Sequence, residues 1–332
     1  MGLFRRRKRD RDSATSSTPG TPGRPTRLPV TDPDPLLPAV SRADAVALTR
    51  IARETFVNHG VETVDDGHGA LVAMDGRLYG LTNLSATVAR EPQSAWPALV
   101  EQHVSGLLGA HEVPEPLSLD EVRTQVYPRL RWAENLPDPA PNYPTSPLPG
   151  VVELAAIDYP HHVSELLSDE AVERIGGWAT VREAAMTNLR ALPPMHQDTI
   201  NADPDRDDAA VHVLTTDDFF GPSRVLILPE VLAGIGIERP SHGVLVAVPN
   251  RHLLAVHPLA GQGVIAALQT LARISTGEHD QQPGAISRHV YFVPASGAAA
   301  QQVTSFADDG TLSINVEGPL AEAFVELGLL GG

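Results

Sequence analysis

Apolar positions along this chain change period several times, and each change marks an element. From Ser41 onward Leu48, Ile51, Thr55 and Phe56 recur at helical spacing, predicting a helix to about Asn58 with Gly60 beyond its end. Ser41 with Asp44 three residues on forms a near capping box at its start. The period then falls to two. A short strand over 61–64 precedes segments 70–74 and 77–81, which are joined by Asp75-Gly76, the dipeptide that best tolerates a tight hairpin. Helical spacing returns after Asn83 and Ser94, both read as caps, and the second helix aligns Val100, Val104, Leu107 and Leu108 before Gly109.

The second half repeats this alternation with longer pieces. Ser118 and Glu121 make a capping box for a helix that runs into Pro128. Residues 151–157 are apolar except for Glu153, which predicts a largely buried strand. Helices over 168–175 and 178–191 are separated by Gly176-Gly177, and an acidic hairpin spans 197–216. A helix over 219–234 contains Pro229. Segments 244–248 and 252–256 are apolar on both faces and meet at Pro249-Asn250, predicting a hairpin in the covered centre of a sheet. A helix over 260–275, a strand over 287–293, a hairpin from 303–306 and 312–316, and a helix closing at Leu327 complete the pattern. The fold class expected is α+β, with mixed or antiparallel sheets, hairpins and packed helices. No short solenoid repeat occurs.

Between these elements, composition sets the expected boundaries. Residues 13–40 are rich in Ser, Thr, Pro and Gly and offer little apolar surface to offset chain entropy, so 1–40 reads as a disordered tail. Residues 41–112 form a helix–hairpin–helix unit. Residues 113–149 read as a helix followed by a linker, since 137–149 hold six prolines, and 150–332 as a larger α+β domain.

Charge and residue usage then narrow the chemistry. Lys8 is the only lysine among 25 basic residues, and cysteine is absent. A P-loop, a Schiff base, thiol catalysis and thiolate metal sites are thereby excluded from the body. Residues 1–12 carry a net +4, so against −16 for the whole chain the remainder stands at −20. So acidic a body repels phosphate backbones, which argues against nucleic acid as a partner. The basic tail leaves room only for weak peripheral lipid contact. No run of about eighteen apolar residues predicts a membrane span, and the basic N-terminus lacks the apolar core of a secretory signal. The expected location is the cytoplasm. The arginine-rich, alanine-rich, proline-rich composition suggests high-GC bacterial coding.

No catalytic motif emerges. Gly261-Gln262-Gly263 lies between a strand and a helix, as a dinucleotide fingerprint would. The strand, however, belongs to a tight hairpin, and no acidic residue follows where a ribose contact belongs. A capped turn is the reading preferred. Asp203, Asp205, Asp207 and Asp208 resemble a calcium loop, but Asp208 stands where Gly is needed and Leu214 where Glu is needed. His252 and His257 sit five apart on one strand and point to opposite faces. Asp158, His161 and His289 could converge only through the tertiary fold. Three residues are singled out, and Asn188 has the firmest physics. Asn188 lies on an apolar stripe with Val181, Ala184, Ala185 and Leu192, so its amide must find a partner. Arg190 projects from another side of that helix. Arg224 stands near a helix start and needs an acid such as Asp217 or Asp218. All three read as structural clamps before ligand contacts.

The stretch 151–293 resembles the YtpQ-like group of bacterial proteins. The resemblance rests on a strand ending at Asp158, a helix pair leading into Asn188-Leu189-Arg190-Ala191-Leu192-Pro193, Phe219, the Ser223-Arg224-Val225-Leu226 helix start, and the strand pair around Pro249. The unit 41–112 fits the same group's opening, so most of 41–293 is covered. The resemblance implies a cytoplasmic α+β protein without an established activity. The leading expectation is therefore a non-catalytic domain that binds another protein or a second copy of itself, with no cofactor and no metal. The alternative is a small-ligand-binding protein or a hydrolase using Asp, His and Arg in a pocket of the C-terminal domain. Convergence of Asp158, His161, Arg190 or Arg224 would favour the alternative, and a broad apolar patch the first.

Overall fold

The computed structural model describes residues 32–112, 118–159, 162–307 and 309–330. The chain is α+β. The described elements of the N-terminal unit are α1 (Arg42–Asn58), the strands β1 (Thr63–Asp65), β2 (Ala70–Ala73) and β3 (Leu78–Gly80), and the helices α2 (Thr82–Val88) and α3 (Trp96–Glu112). The three strands pair antiparallel in sequence order, with the Asp75-Gly76 turn between β2 and β3. Ser41 caps α1 by accepting from the Asp44 amide, as its sequence implies. Leu48, Ala52 and Phe56 of α1 bury against Leu71 and Tyr79 of the sheet and against Trp96, Val100 and Val104 of α3.

Two readings of this region need correction. Residues 1–31 lie outside the described residues, but 32–40, expected to belong to the tail, are packed. Leu37 and Val40 are buried in the core of the N-terminal unit, and Pro33 bridges to Ser41. Deleting 1–40 would therefore open that core. So few apolar residues among prolines show no period, yet they are enough to seal one end of a small domain. Asn83 and Ser94 are not caps. Asn83 lies inside α2, and Ser94 lies in a 3₁₀ turn (Gln93–Ala95) that leads into α3.

The remainder is one interlocked body. It contains α4 (Leu119–Val122), β4 (Val126–Trp132), β5 (Thr145–Leu148), β6 (Val151–Tyr159), β7 (His162–Glu165), α5 (Asp169–Arg174), α6 (Gly177–Ala191), β8 (His196–Asn201) and β9 (Ala210–Thr215). There follow α7 (Leu228–Gly234), β10 (Val244–Ala247), β11 (Leu253–Pro258), α8 (Val264–Gln281), β12 (Val290–Val293), β13 (Gln301–Gln302), β14 (Thr304–Phe306), β15 (Leu312–Ile314) and α9 (Gly318–Glu326). Six strands form an antiparallel sheet in the order β13-β12-β10-β11-β9-β8. β6 pairs with β4 along one side and with β5 and β7 along the other.

Both faces of the six-stranded sheet are covered, which explains the continuous apolarity of β10 and β11. Leu245, Ala247, Leu253, Ala255 and Phe292 meet Val264, Leu268 and Leu271 of α8 and Leu320 and Phe324 of α9. Val246, Val248, Leu254, Val256 and Tyr291 meet Leu228 and Leu232 of α7 and Leu130, Leu148 and Val151 of the smaller sheet.

The segment expected to be helix and linker is instead part of that smaller sheet. The helix after Ser118 ends at Val122, and β4 takes over. Its edge position lets Pro128 sit in a strand without an amide hydrogen. The alternation of Val126 and Leu130 with Tyr127, Arg129 and Arg131 is a strand pattern. Thr145 and Leu148, from the proline run, pair with Glu153 and Val151. The boundary drawn at 149/150 therefore cuts a sheet. The helix expected over 219–234 divides into a 3₁₀ turn (Pro222–Ile227) and α7, with Pro229 in the first turn, where its missing donor costs least.

Candidate functional site

The three residues singled out by sequence fall in separate places. Asn188 donates from Nδ2 to the carbonyls of Arg123 and Val126, 2.8 Å each, and so ties α6 to the start of β4. Arg190 is exposed and pairs with Glu230 at 3.0 Å on α7. Arg224 is buried. Its two Nη atoms grip Asp218 at 3.2 and 2.8 Å, and Nη2 also donates to the Pro193 carbonyl. Asp218 also accepts from the Thr216 hydroxyl and the Phe220 amide. Burial pushes its carboxyl up, but the bonds from Arg224 and Thr216 outweigh that and hold it below the usual range.

The other motifs resolve into packing. A side chain at Gly263 would drive into the Asp208–Ala209 backbone, so that glycine admits the tip of the acidic hairpin against the start of α8. Asp208 accepts from the Gly263 amide and from Arg206, and its carboxyl is lowered chiefly by Arg206. His257 is buried, with Nδ1 on the Ala210 carbonyl at 2.8 Å. Among the described residues no cluster of three or more His, Asp or Glu side chains has metal-binding geometry. His161 lies outside the described residues. His289 faces a small hollow of about 270 Å³ with Trp132, His279 and Arg288, away from Asp158.

A different set of polar groups converges where the N-terminal unit meets the body. From β4, Arg129 sends Nε to Glu165 at 3.2 Å and Nη1 to the Phe219 carbonyl at 3.0 Å. Arg131, two residues on and on the same face, shares Glu165 at 3.1 Å. Asp158 at the end of β6 stands in the field of Arg129 and Asp218, and its carboxyl is pushed up by burial and then by Asp218. The Tyr127 ring stacks on Phe220 with centroids 4.5 Å apart.

The other side of Phe219 is occupied by Arg251. Its guanidinium lies 4.3 Å above the Phe219 ring, and its Nε donates to His252 Nε2 at 3.0 Å. A guanidinium only donates, so His252 Nε2 must be the acceptor. Its proton therefore sits on Nδ1, shared between the carbonyls of Thr216 and Asp218. His252 is thus held neutral, and burial together with Arg251 brings its pKa down to about 4. The Arg251 stem is fixed too. Its amide donates to the Gly284 carbonyl at 3.0 Å, and a side chain at residue 284 would collide with its methylenes. The Gly284 amide in turn donates to Asn83 Oδ1 of α2 at 2.7 Å, across the seam.

Among the described residues no carboxylate pairs with Arg251. Desolvation, then Arg129 and Arg90, bring its pKa down to about 10, so it stays charged at neutral pH. On the N-terminal side, α3 presents His103, whose Nε2 is buried without a hydrogen-bond partner among the described residues. Burial and the nearby Arg251 charge lower its pKa. Sequence reasoning missed Arg129, Glu165, Arg251 and His103. The signal for Arg129 and Arg131 was present in the strand alternation of 126–132, but nothing local marks His103 or Arg251.

Comparison of the chain with protein-family models, curated proteins and solved structures finds no match. Among the described residues no helix is long and apolar enough to cross a membrane.

Proposed function

We propose that this chain is a non-catalytic cytoplasmic binding protein that holds a small ligand in the seam between its N-terminal unit and its body. The observation that carries this reading is Arg251, charged and without a carboxylate partner among the described residues, with its charge reaching His103 of α3, whose buried Nε2 likewise lacks a partner among them. Ligand sites favour such junctions, where two rigid surfaces bring polar groups from distant segments together. Binding is favoured over catalysis by the engagement of two of the groups that could move protons. His252 uses both ring nitrogens, and Asp218 is saturated by Arg224, Thr216 and Phe220. The test is native mass spectrometry of the gently purified chain combined with hydrogen exchange. A bound small molecule whose removal speeds exchange in α2, α3 and 216–220 is expected. Exchange in those segments that no small-molecule fraction alters would end the reading.

A protein partner or a second copy is the other reading, favoured by the outer face of the N-terminal sheet. Val64 and Leu78 are 55% and 66% exposed there and flank Val72 in register. Such a row costs free energy in water unless covered. Sedimentation velocity tests it: association that Leu78→Glu abolishes would support it, and a monomer at high concentration would not. The YtpQ-like resemblance, to a group without an established activity, accommodates both readings.

A further inference from the structure

We propose that the ligand of the seam carries an oxyanion, a phosphoryl or carboxylate group, held between the guanidinium of Arg251 and the imidazole of His103. This rests on the seam being a binding site and adds the chemistry of what binds there.

Arg129 and Arg131 share a single carboxylate, Glu165. Arg224 consumes Asp218. Asp158 stands near Arg129 and Asp218, where burial and the like charge disfavour its ionised form. Among the described residues Arg251 therefore has no anion of its own, and Arg90 and Arg129 add to the positive field around it. A guanidinium removed from water without a counter-charge is costly. Proteins tolerate it where a ligand supplies the charge, and the planar fork of Arg matches both oxygens of a carboxylate or phosphoryl group.

Geometry shows that Arg251 is pre-positioned rather than merely trapped. Three contacts hold it: Phe219 beneath the guanidinium, His252 on Nε and Gly284 against the stem. All three leave the terminal nitrogens uncommitted, and His252 takes only the inner edge of the fork. The Nη edge is the one suited to a bidentate oxyanion. The Arg251 charge reaches His103 on α3. Its unpartnered Nε2 offers the incoming oxygen a donor when protonated, or an acceptor for a protonated oxyanion. Because Arg251 belongs to the body and His103 to α3, one anion would bridge the two units beside the Asn83–Gly284 bond. The acidic remainder of the surface then acts as a filter: a small anion enters the seam, whereas a polyanion is repelled.

The test is isothermal titration of the full chain with inorganic phosphate and, separately, with acetate, against chloride at matched ionic strength. Saturable one-to-one binding of either oxyanion, absent for chloride, is expected, and the stronger of the two identifies the group. Arg251→Met should weaken it about tenfold or more, as loss of a charge-assisted bidentate contact does. His103→Ala should weaken it to a smaller extent, Arg251→Lys should retain part of it, and Arg190→Ala should match the parent. Should Arg251→Met melt well below the parent, His103→Gln and Phe219→Leu carry the comparison. Failure of both anions to saturate, or parent-like binding by a well-folded Arg251→Met, overturns the oxyanion. If an uncharged molecule is nevertheless found in the seam by mass spectrometry, only the charge class falls. If hydrogen exchange in the seam responds to nothing, the site itself falls with it.

Discussion

The polar groups around α6 and those around Arg251 obey opposite accounting. Near α6, every group singled out has its complement: the Asn188 amide has two carbonyls, and Arg224 has both oxygens of Asp218 and a carbonyl besides. In the seam, a cation and an imidazole nitrogen lack theirs among the described residues. A closed network stabilises the fold and leaves nothing for a ligand to add. An open one costs stability in the free protein and returns it on binding. Mutations should therefore separate the two regions cleanly, with stability lost in the first and affinity in the second.

The sharpest test of that division is Arg224→Leu. It strands the Asp218 carboxylate in a largely buried position, and breaking a buried pair from one side costs about 3–5 kcal/mol. Urea denaturation should read this loss. A variant as stable as the parent would mean that the pair is not the clamp described.

Asn188→Ala comes next. Two carbonyls at the α6–β4 junction lose their donor, and about 1–3 kcal/mol should disappear from the unfolding free energy. Anion affinity should not change. Loss of affinity with a normal midpoint would move Asn188 into the open class.

Acid separates the regions in another way. His252 is neutral in the fold, with a pKa of about 4, against about 6.5 for an unfolded histidine. Below pH 6.5 the unfolded chain takes up a proton that the folded chain refuses, so stability should fall between about pH 6.5 and about pH 4 and then level off for this group. Its contribution, allowing for partial exposure, is on the order of 1–2 kcal/mol. Asp218, with a lowered carboxyl, contributes stability that is lost only as pH falls further, through its folded pKa. Thermal melts from pH 7 to pH 3 should show the first decline flattened in His252→Gln and the second reduced in Asp218→Asn.

The smallest effect belongs to Arg190→Ala. The pair with Glu230 is half exposed on both sides, so its removal should change stability by no more than about 1 kcal/mol. Neither melting nor binding should move beyond error.

Legibility in the sequence followed the range of the interactions. The Ser41 cap, the Asp75-Gly76 hairpin, the double-glycine break before α6 and the covered β10–β11 pair all rest on residues within a few positions of one another. The partner of Arg224 was visible for the same reason, since Asp218 is six residues away. Asn188 announced its need for a partner by interrupting an apolar stripe, although not which partner, because its acceptors lie more than sixty positions earlier.

What the chain itself determined is the α+β class, most of its elements and the absence of lysine and thiol chemistry from the body. Each follows from residue identity or from periodicity within a single element. Only the tertiary structure could assemble the seam, because its parts come from α3, β4, the loop at Phe219 and the turn before β11. The strand alternation of β4 competed with a proline and a capping box that point locally to a broken helix. Pairing with β6 overrides that preference: the ladder satisfies the backbone of an edge strand that tolerates Pro128. A missing counter-ion is likewise invisible in one dimension, because it is a statement about where all the described carboxylates lie.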